Sequence, residues 1–181
     1  MLMRLETSAL LVVDIQERLL PAVHDNARVV ANSVWLIRVA QRLGVPVLAS
    51  EQYPQGLGGT VAAIRELLPA EAFVDKLHFS CAAEQGCMRR IDALDREQVV
   101  IVGIEAHVCV LQTALELRAA GKEVYLVADA VSSRAPGDVQ LALERMRAAG
   151  VQVVSREMVV FEWLRQAGTD IFRAISREFL R

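Results

Sequence analysis

Residues 99–109 read VVIVGIEAHVC, an apolar run that ends in a glycine and leads directly into a cysteine-bearing segment. The run consists of Val and Ile alone, which is typical of a strand buried on both faces of a sheet. Five further apolar runs lie along the chain, at 9–13, 45–49, 72–74, 124–128 and 151–154. Together they predict a six-stranded, mostly parallel sheet.

Amphipathic stretches separate these runs, and three of the stretches stop at a glycine, namely Gly44, Gly121 and Gly150. Glycine commonly follows the last residue of a helix. Helices are predicted over 26–43, 60–68, 82–95, 108–120 and 137–149, with further helix in the tail 157–181. Strands that alternate with helices predict an α/β fold: one domain over 1–181 with three αβα layers and a Rossmann-like sheet.

The composition indicates a protein that acts on a small-molecule substrate. The net charge is −2 with both signs mixed along the chain, so no basic nucleic-acid surface and no membrane-binding patch is predicted. No apolar run reaches the roughly 18 residues of a membrane span, and the start does not resemble a signal peptide. The three cysteines include no Cys-x-x-Cys pair, which predicts free thiols in the cytoplasm.

Three residues with catalytic chemistry lie beyond the predicted strand ends. Asp14 follows the first run, Lys76 follows the third, and Cys109 follows the fourth within seven residues. Because ligands bind beyond the carboxyl ends of parallel strands, these side chains are predicted to meet at one edge of the sheet.

Cys109 lies where a loop is predicted to become a helix. Helix N–H groups and the ammonium of Lys76 would favour its thiolate, so a lowered pKa is expected. The same N–H groups could hold an oxyanion, and Asp14 could pass a proton to a leaving nitrogen. His107 lies two residues away at a helix start, where the two side chains would diverge, so it is interpreted as a structural or rim residue.

Each of these residues also has an ordinary structural interpretation when it is taken alone. A lone cysteine on an apolar helix is usually a small buried hydrophobe. A lone aspartate after a strand is usually a turn or capping residue, and a lone lysine is usually solvated.

Taken together, these segments resemble the isochorismatase-like cysteine hydrolases, a family that includes the nicotinamidases. The resemblance covers nearly the whole chain and rests on five segments: Asp14 with Gln16, Lys76 with Phe79-Ser80, 103–110, Gln112-Thr113 and 129–134. Residues 50–54 and 157–162 resemble the branch called isochorismatase-domain-containing proteins.

The resemblance implies a catalytic triad of Asp14, Lys76 and Cys109. It also implies a cis peptide between Ile104 and Glu105, with the N–H groups of Glu105 and Cys109 as the oxyanion hole. Candidates for the substrate pocket are Gln16, Glu51, Tyr53 and Phe79.

Two differences from better-known members of the family restrict the reactions expected of this chain. Nicotinamidases carry an Asp-x-His metal site beyond the second strand, where this chain has Glu51-Gln52-Tyr53. No metal and no cofactor are therefore predicted. True isochorismatases cleave a vinyl ether and lack the nucleophilic cysteine that this chain has in Cys109.

The leading hypothesis is an amidohydrolase that forms a thioester on Cys109. Two alternatives stay open: isochorismatase-type ether hydrolysis, and a non-catalytic redox sensor in which Cys109 is oxidised and Cys81 lies near enough to resolve it. The apolar residues of the tail, with the resemblance, predict a homo-oligomer, a dimer or larger; these residues are Phe161, Trp163, Leu164, Ile171 and Phe172.

Overall fold

The sheet contains six strands, and the computed structural model describes residues 1–180. The strands are β1 (Ser8–Val13), β2 (Val47–Gln52), β3 (Phe73–Lys76), β4 (Gln98–Gly103), β5 (Glu123–Val131) and β6 (Gln152–Val154). They lie in the order β3-β2-β1-β4-β5-β6, and every pair of neighbours is parallel. All six apolar runs are confirmed as strands.

Helices connect the strands and complete the chain. They are α1 (Asn26–Leu43), α2 (Pro54–Leu57), α3 (Ala62–Arg65), α4 (Gln85–Asp92), α5 (Leu111–Ala119), α6 (Pro136–Ala148), α7 (Arg156–Leu164) and α8 (Asp170–Phe179). A π-helical turn, Ala106–Val110, precedes α5. The bounds of α1 are the predicted ones, and the predicted tail helix is divided into α7 and α8.

The helix predicted over 60–68 is wrong over most of its length, because only α3 forms there. Thr60 does not cap a helix. Its backbone pairs with Gln16 in an antiparallel bridge, and both its N–H and its hydroxyl donate to Glu51 Oε1, over 2.6 and 2.7 Å. These contacts hold the start of the segment extended, so one helical turn remains.

Alternate residues of each central strand face opposite helical layers, as expected for side chains with a period of two. In β1, Leu10 and Val12 belong to the apolar cluster that includes α1, α7 and α8. Leu11 and Val13 belong to the cluster that includes α4, α5 and α6. The sheet is therefore the middle layer of three, which confirms the predicted αβα architecture.

The C-terminal tail packs against the rest of its own chain, whereas the sequence predicted that its apolar residues contact another subunit. Trp163 is buried and its indole N–H donates to Ser8 Oγ over 3.0 Å. The ring of Phe179 meets Trp35 of α1 edge-on, with the centroids 6.3 Å apart. Trp163 therefore does not form an outer surface, although Phe161 and Ile171 are exposed.

The strand order reverses between β1 and β4. The chain runs outward from β1 through β2 to β3, then returns to place β4 on the other side of β1. Such a switch point opens a crevice at the carboxyl ends of the two strands. Gly103 ends β4 there with φ +125°, and a Cβ at this position would lie 2.1 Å from the Val13 carbonyl oxygen. Only glycine allows this close approach.

Candidate active site

The strand register brings Asp14 and Lys76 together. Val13 pairs with Ser50 of β2, and Gln52 at the end of β2 pairs with Lys76 of β3. Lys76 Nζ lies 2.7 Å from Asp14 Oδ2, and neither side chain is exposed. A buried ion pair is stable only where further hydrogen bonds complete both groups.

Neighbouring residues supply those hydrogen bonds. Ser50 Oγ donates to Asp14 Oδ1 over 2.7 Å. Lys76 donates to Gln52 Oε1 over 2.7 Å and to the Phe79 carbonyl over 2.9 Å. Burial acts to lower the pKa of Lys76, but the charge and hydrogen bond of Asp14, together with the nearby thiols of Cys109 and Cys81, outweigh it, and the pKa lies above its ordinary value. Lys76 is therefore a cation.

Ser50 and Gln52 hold the ion pair but are not among the site residues predicted from the sequence. The signal that could have found them is their spacing. They lie two residues apart at the end of β2, and residues two apart on a strand share a face.

Cys109 lies in the π-helical turn, buried, with the Asp14 carboxylate beside it. Burial, the charge of Asp14 and a hydrogen bond between the two side chains raise the pKa of the Cys109 thiol, and Lys76 only partly opposes this rise. The expected lowering of the pKa is therefore wrong. The resting thiol is neutral, and its hydrogen-bond partner Asp14 is a group that can accept the proton.

Between β4 and the π-helical turn, backbone hydrogen bonds fix the two residues that flank Glu105. The Ile104 N–H donates to the Val13 carbonyl over 2.9 Å, and the Ala106 N–H donates to the Ser132 carbonyl over 2.8 Å. A cis peptide joins Ile104 to Glu105, as the resemblance implied. Within residues 1–180 the Glu105 N–H donates to no acceptor, so it is available to an oxyanion.

A bidentate ion pair holds the Glu105 side chain. Arg134 Nε lies 3.0 Å from Glu105 Oε2, and the adjacent Arg134 nitrogen lies 3.1 Å from Oε1. The carboxylate is buried while the guanidinium is largely exposed. Arg134 belongs to the segment 129–134 but has no predicted role. Its contact with Glu105 could not be predicted, because the two residues lie 29 positions apart in the sequence.

Two of the four pocket candidates are occupied by scaffold contacts. The Gln16 amide donates to the carbonyls of Gln52 and Gly58 and accepts from the Gln52 N–H, over 2.7 to 3.0 Å. Glu51 is buried against Thr60 and forms an ion pair with Arg65. Both residues brace the connection after β2, Gln16 through its amide and Glu51 through Oε1.

The other two candidates are exposed apolar residues near Lys76. Tyr53 and Phe79 are 50% and 53% exposed, and Leu77 beside them is 70% exposed. A cavity of about 310 Å³ opens on the β3 side of Lys76, lined by Tyr53, Pro54, Gln55, Asp75, Lys76, Leu77 and Glu84. The structure thus brings an apolar rim to the carboxyl edge of the sheet.

His107 turns away from Cys109, in agreement with its interpretation as a structural or rim residue. Its Nδ1 lies 2.9 Å from Ser133 Oγ, and its Nε2 lies 3.9 Å from Asp138 Oδ2. The His107 N–H also points at Ser133 Oγ, over 3.3 Å. His107 therefore ties the π-helical turn to the segment after β5.

All three cysteines are free thiols, and all three are buried. The proximity of Cys87 lowers the pKa of Cys81, whereas the proximity of Cys81 and burial raise the pKa of Cys87. The Cys81 N–H donates to Thr113 Oγ1 over 2.9 Å.

No group of three or more His, Cys, Asp or Glu side chains in residues 1–180 is arranged to hold a metal ion. No helix among them combines the length and apolar character that a membrane crossing requires.

Comparison with known proteins gives matches over most of the chain. The Isochorismatase domain matches residues 8–158. Isochorismatase family protein 1B of Dictyostelium discoideum is 36% identical over 174 residues, which cover 94% of this chain and 84% of that protein. Isochorismatase domain-containing protein 1 of Danio rerio is 38% identical over 94% of this chain, which spans only 60% of the fish protein.

A solved structure described as MAR1 ribonuclease from Caenorhabditis elegans has the same fold. It superposes with a TM-score of 0.91 at 33% identity, over 100% of this chain and 93% of the other. Sequence and fold indicate the same family. The matched residues 8–158 include all six strands and both partners of the buried ion pair, Asp14 and Lys76. The chain belongs to the isochorismatase family of hydrolases.

Proposed function

We propose that the chain is a cysteine hydrolase that cleaves an amide-type C–N bond of a small molecule through a thioester on Cys109. One observation carries the proposal: a single buried carboxylate, Asp14, forms an ion pair with the Lys76 ammonium and lies near enough to Cys109 to raise the pKa of that thiol. A nucleophile beside a base that is itself held by a third group is the arrangement that covalent catalysis requires.

In the first half of the reaction Asp14 takes the thiol proton and the Cys109 sulfur attacks the substrate carbonyl carbon. The carbonyl oxygen becomes an oxyanion, which the N–H groups of Glu105 and Cys109 stabilise. Asp14 then gives its proton to the nitrogen, the C–N bond breaks, and ammonia or an amine leaves.

In the second half water hydrolyses the thioester. Asp14 accepts a proton from the water, whose oxygen attacks the acyl carbon. The C–S bond breaks, the thiol regains its proton, and the carboxylic acid is released. Lys76 remains a cation throughout and stabilises whichever neighbour, Asp14 or Cys109, carries the negative charge.

Three other activities make different use of these residues. Ether hydrolysis needs no thiol, and a redox sensor would oxidise Cys109 without turnover. The C. elegans protein described as a ribonuclease raises cleavage of RNA as a further activity. A net charge of −2 gives this chain little attraction for a phosphate backbone, so the amidohydrolase is preferred.

The deciding experiment is a steady-state screen of primary amides, ureido acids and carbamates, with single-stranded RNA in a parallel arm. Wild-type protein is compared with Cys109→Ala, and ammonia release is measured. We expect turnover of an amide that Cys109→Ala abolishes, and an acyl adduct on Cys109 in quenched samples by mass spectrometry. Chelators should leave this activity unchanged.

Two outcomes would contradict the proposal. Full activity in Cys109→Ala would point to ether hydrolysis or another thiol-independent reaction. Stoichiometric sulfenate formation on Cys109, with no turnover of any amide, would point to the sensor.

A further inference from the structure

We propose that the substrate is an uncharged amide with an apolar group on its acyl side, and not an amide that also carries a carboxylate. The inference deepens the proposed function and rests on it. It comes from the basic side chains near the site, Lys76, Arg134 and Arg65, each of which has an acidic partner within the chain.

Lys76 has no donor left for a substrate. An ammonium carries three hydrogens, and its three closest acceptors are Asp14 Oδ2, Gln52 Oε1 and the Phe79 carbonyl, at 2.7, 2.7 and 2.9 Å. A substrate carboxylate could reach this cation only by displacing one of these partners.

Three other basic side chains near the site also lie against acidic partners. Arg134 meets Glu105 through two parallel hydrogen bonds, the strongest form of such a pair. Arg65 pairs with Glu51. His78 Nδ1 lies 2.9 Å from Glu84 Oε2, and this contact lowers the pKa of Glu84 to about 2.

A substrate carboxylate would therefore lose water without gaining a cationic partner. Moving an unpaired charge out of water is strongly unfavourable, and a carboxylate would also be repelled by Asp14. A neutral amide avoids both effects, because only its carbonyl becomes charged, and only at the oxyanion hole.

The exposed side chains near Lys76 indicate what the rest of the substrate is. Tyr53, Leu77 and Phe79 place apolar surface beside the site. Large apolar side chains left exposed together commonly mark a binding surface. An alkyl or aryl group on the acyl side of the amide would cover them.

The first test compares two alkylating reagents of nearly the same shape, neutral iodoacetamide and anionic iodoacetate. Their labelling rates at Cys109 are read by peptide mass mapping and divided by their rates with glutathione. We expect the normalised rate to favour iodoacetamide by at least roughly tenfold, because only the anion loses its hydration unpaired. Equal normalised rates, or a preference for iodoacetate, would overturn the inference.

A pair of variants tests the charge argument itself. Glu105→Gln leaves the Arg134 guanidinium without its carboxylate, so the preference for iodoacetamide should shrink. Glu97→Gln is the matched control, since Glu97 pairs with exposed Arg4 elsewhere on the surface, over 3.5 Å, and it should not alter the preference. An unchanged preference in folded Glu105→Gln would contradict the argument.

Turnover of matched amides separates this inference from the proposed function. Isocaproamide and succinamate differ in an isopropyl group against a carboxylate. We expect kcat/KM to favour the neutral amide by roughly a hundredfold. Preference for succinamate would overturn the inference alone, whereas failure of every amide in the wider screen would overturn the proposed function.

Discussion

Asp14 lies between Lys76, which stays a cation in the proposed reaction, and Cys109, with which it exchanges a proton. While the Cys109 thiol is neutral, the buried charges are those of Asp14 and Lys76, 2.7 Å apart. When the proton moves from Cys109 to Asp14, the negative charge moves to the sulfur and Lys76 remains beside it. The net charge of the cluster does not change, so the transfer creates no new unpaired charge in a buried site.

Cys109 should be the first thiol to react with iodoacetamide. It is 5% exposed, whereas Cys81 is fully buried and Cys87 nearly so. Because burial and Asp14 raise its pKa, the alkylation rate should keep rising with pH through the ordinary thiol range, without a plateau near neutrality. Peptide mass mapping at several pH values measures this, and equal labelling of the three thiols would contradict it.

Removal of Lys76 should affect both stability and reactivity. Lys76→Ala leaves Asp14 buried without its counter-charge, which costs about 3–5 kcal/mol of the free energy of unfolding. The pKa of Cys109 should rise further, because Lys76 is the charge that opposes the rise. Turnover should fall by roughly a hundredfold or more.

The control for that variant is Lys122→Ala. Lys122 is the only other lysine, and it pairs with exposed Asp92 over 3.0 Å. Urea unfolding and the pH profile of alkylation are measured for both variants. An unchanged alkylation profile in folded Lys76→Ala would remove Lys76 from the site.

Sequence alone predicted the residues that follow strands but not the contacts between distant loops. Apolar runs mark where strands end, so Asp14 and Lys76 could be placed at one edge of the sheet. The direction of the Cys109 pKa could not be predicted, since it depends on how deeply the thiol is buried and how near Asp14 lies. Thr60 was misread for the same reason, because its contact with Glu51 overrides the local helix signal.

At the scale of elements, the segment after β5 supports the segment after β4. Ser132 accepts a hydrogen bond from Ala106, Ser133 contacts His107, and Arg134 holds the Glu105 carboxylate. The proposed oxyanion donor thus depends on a second loop for its position. A small displacement of such a donor strongly reduces the rate.

Arg134→Gln should therefore lower kcat by roughly tenfold to a hundredfold while changing KM little, because the Glu105 N–H acts mainly in the transition state. Arg134→Lys keeps the positive charge but cannot form two parallel hydrogen bonds with the Glu105 carboxylate. It should therefore retain part of the kcat that Arg134→Gln loses. Arg4→Gln, which breaks the exposed pair with Glu97, is the control and should leave both constants unchanged. A matching loss in Arg4→Gln, or a rise in KM alone, would refute this role.

At the scale of the whole molecule, the exposed apolar residues of α7 and α8 indicate self-association. Phe161 and Ile171 are exposed, and the Phe161 ring lies 6.5 Å from that of Phe172. We expect light scattering at micromolar concentration to give a multiple of the 19.9 kDa chain mass, and Phe161→Glu to shift it toward the monomer. A monomeric mass for the wild-type protein would contradict the prediction.

The position of β3 has a consequence for how activity is lost. This strand has four residues and hydrogen-bonds to β2 alone, yet it carries Lys76. Marginal segments open at lower free energy than the centre of a sheet, so mild urea should release Lys76 while β1 and β4 stay intact. At such urea concentrations turnover should be lost and the backbone amides of β3 should exchange with deuterium. The fluorescence of buried Trp163 should still be that of the native protein.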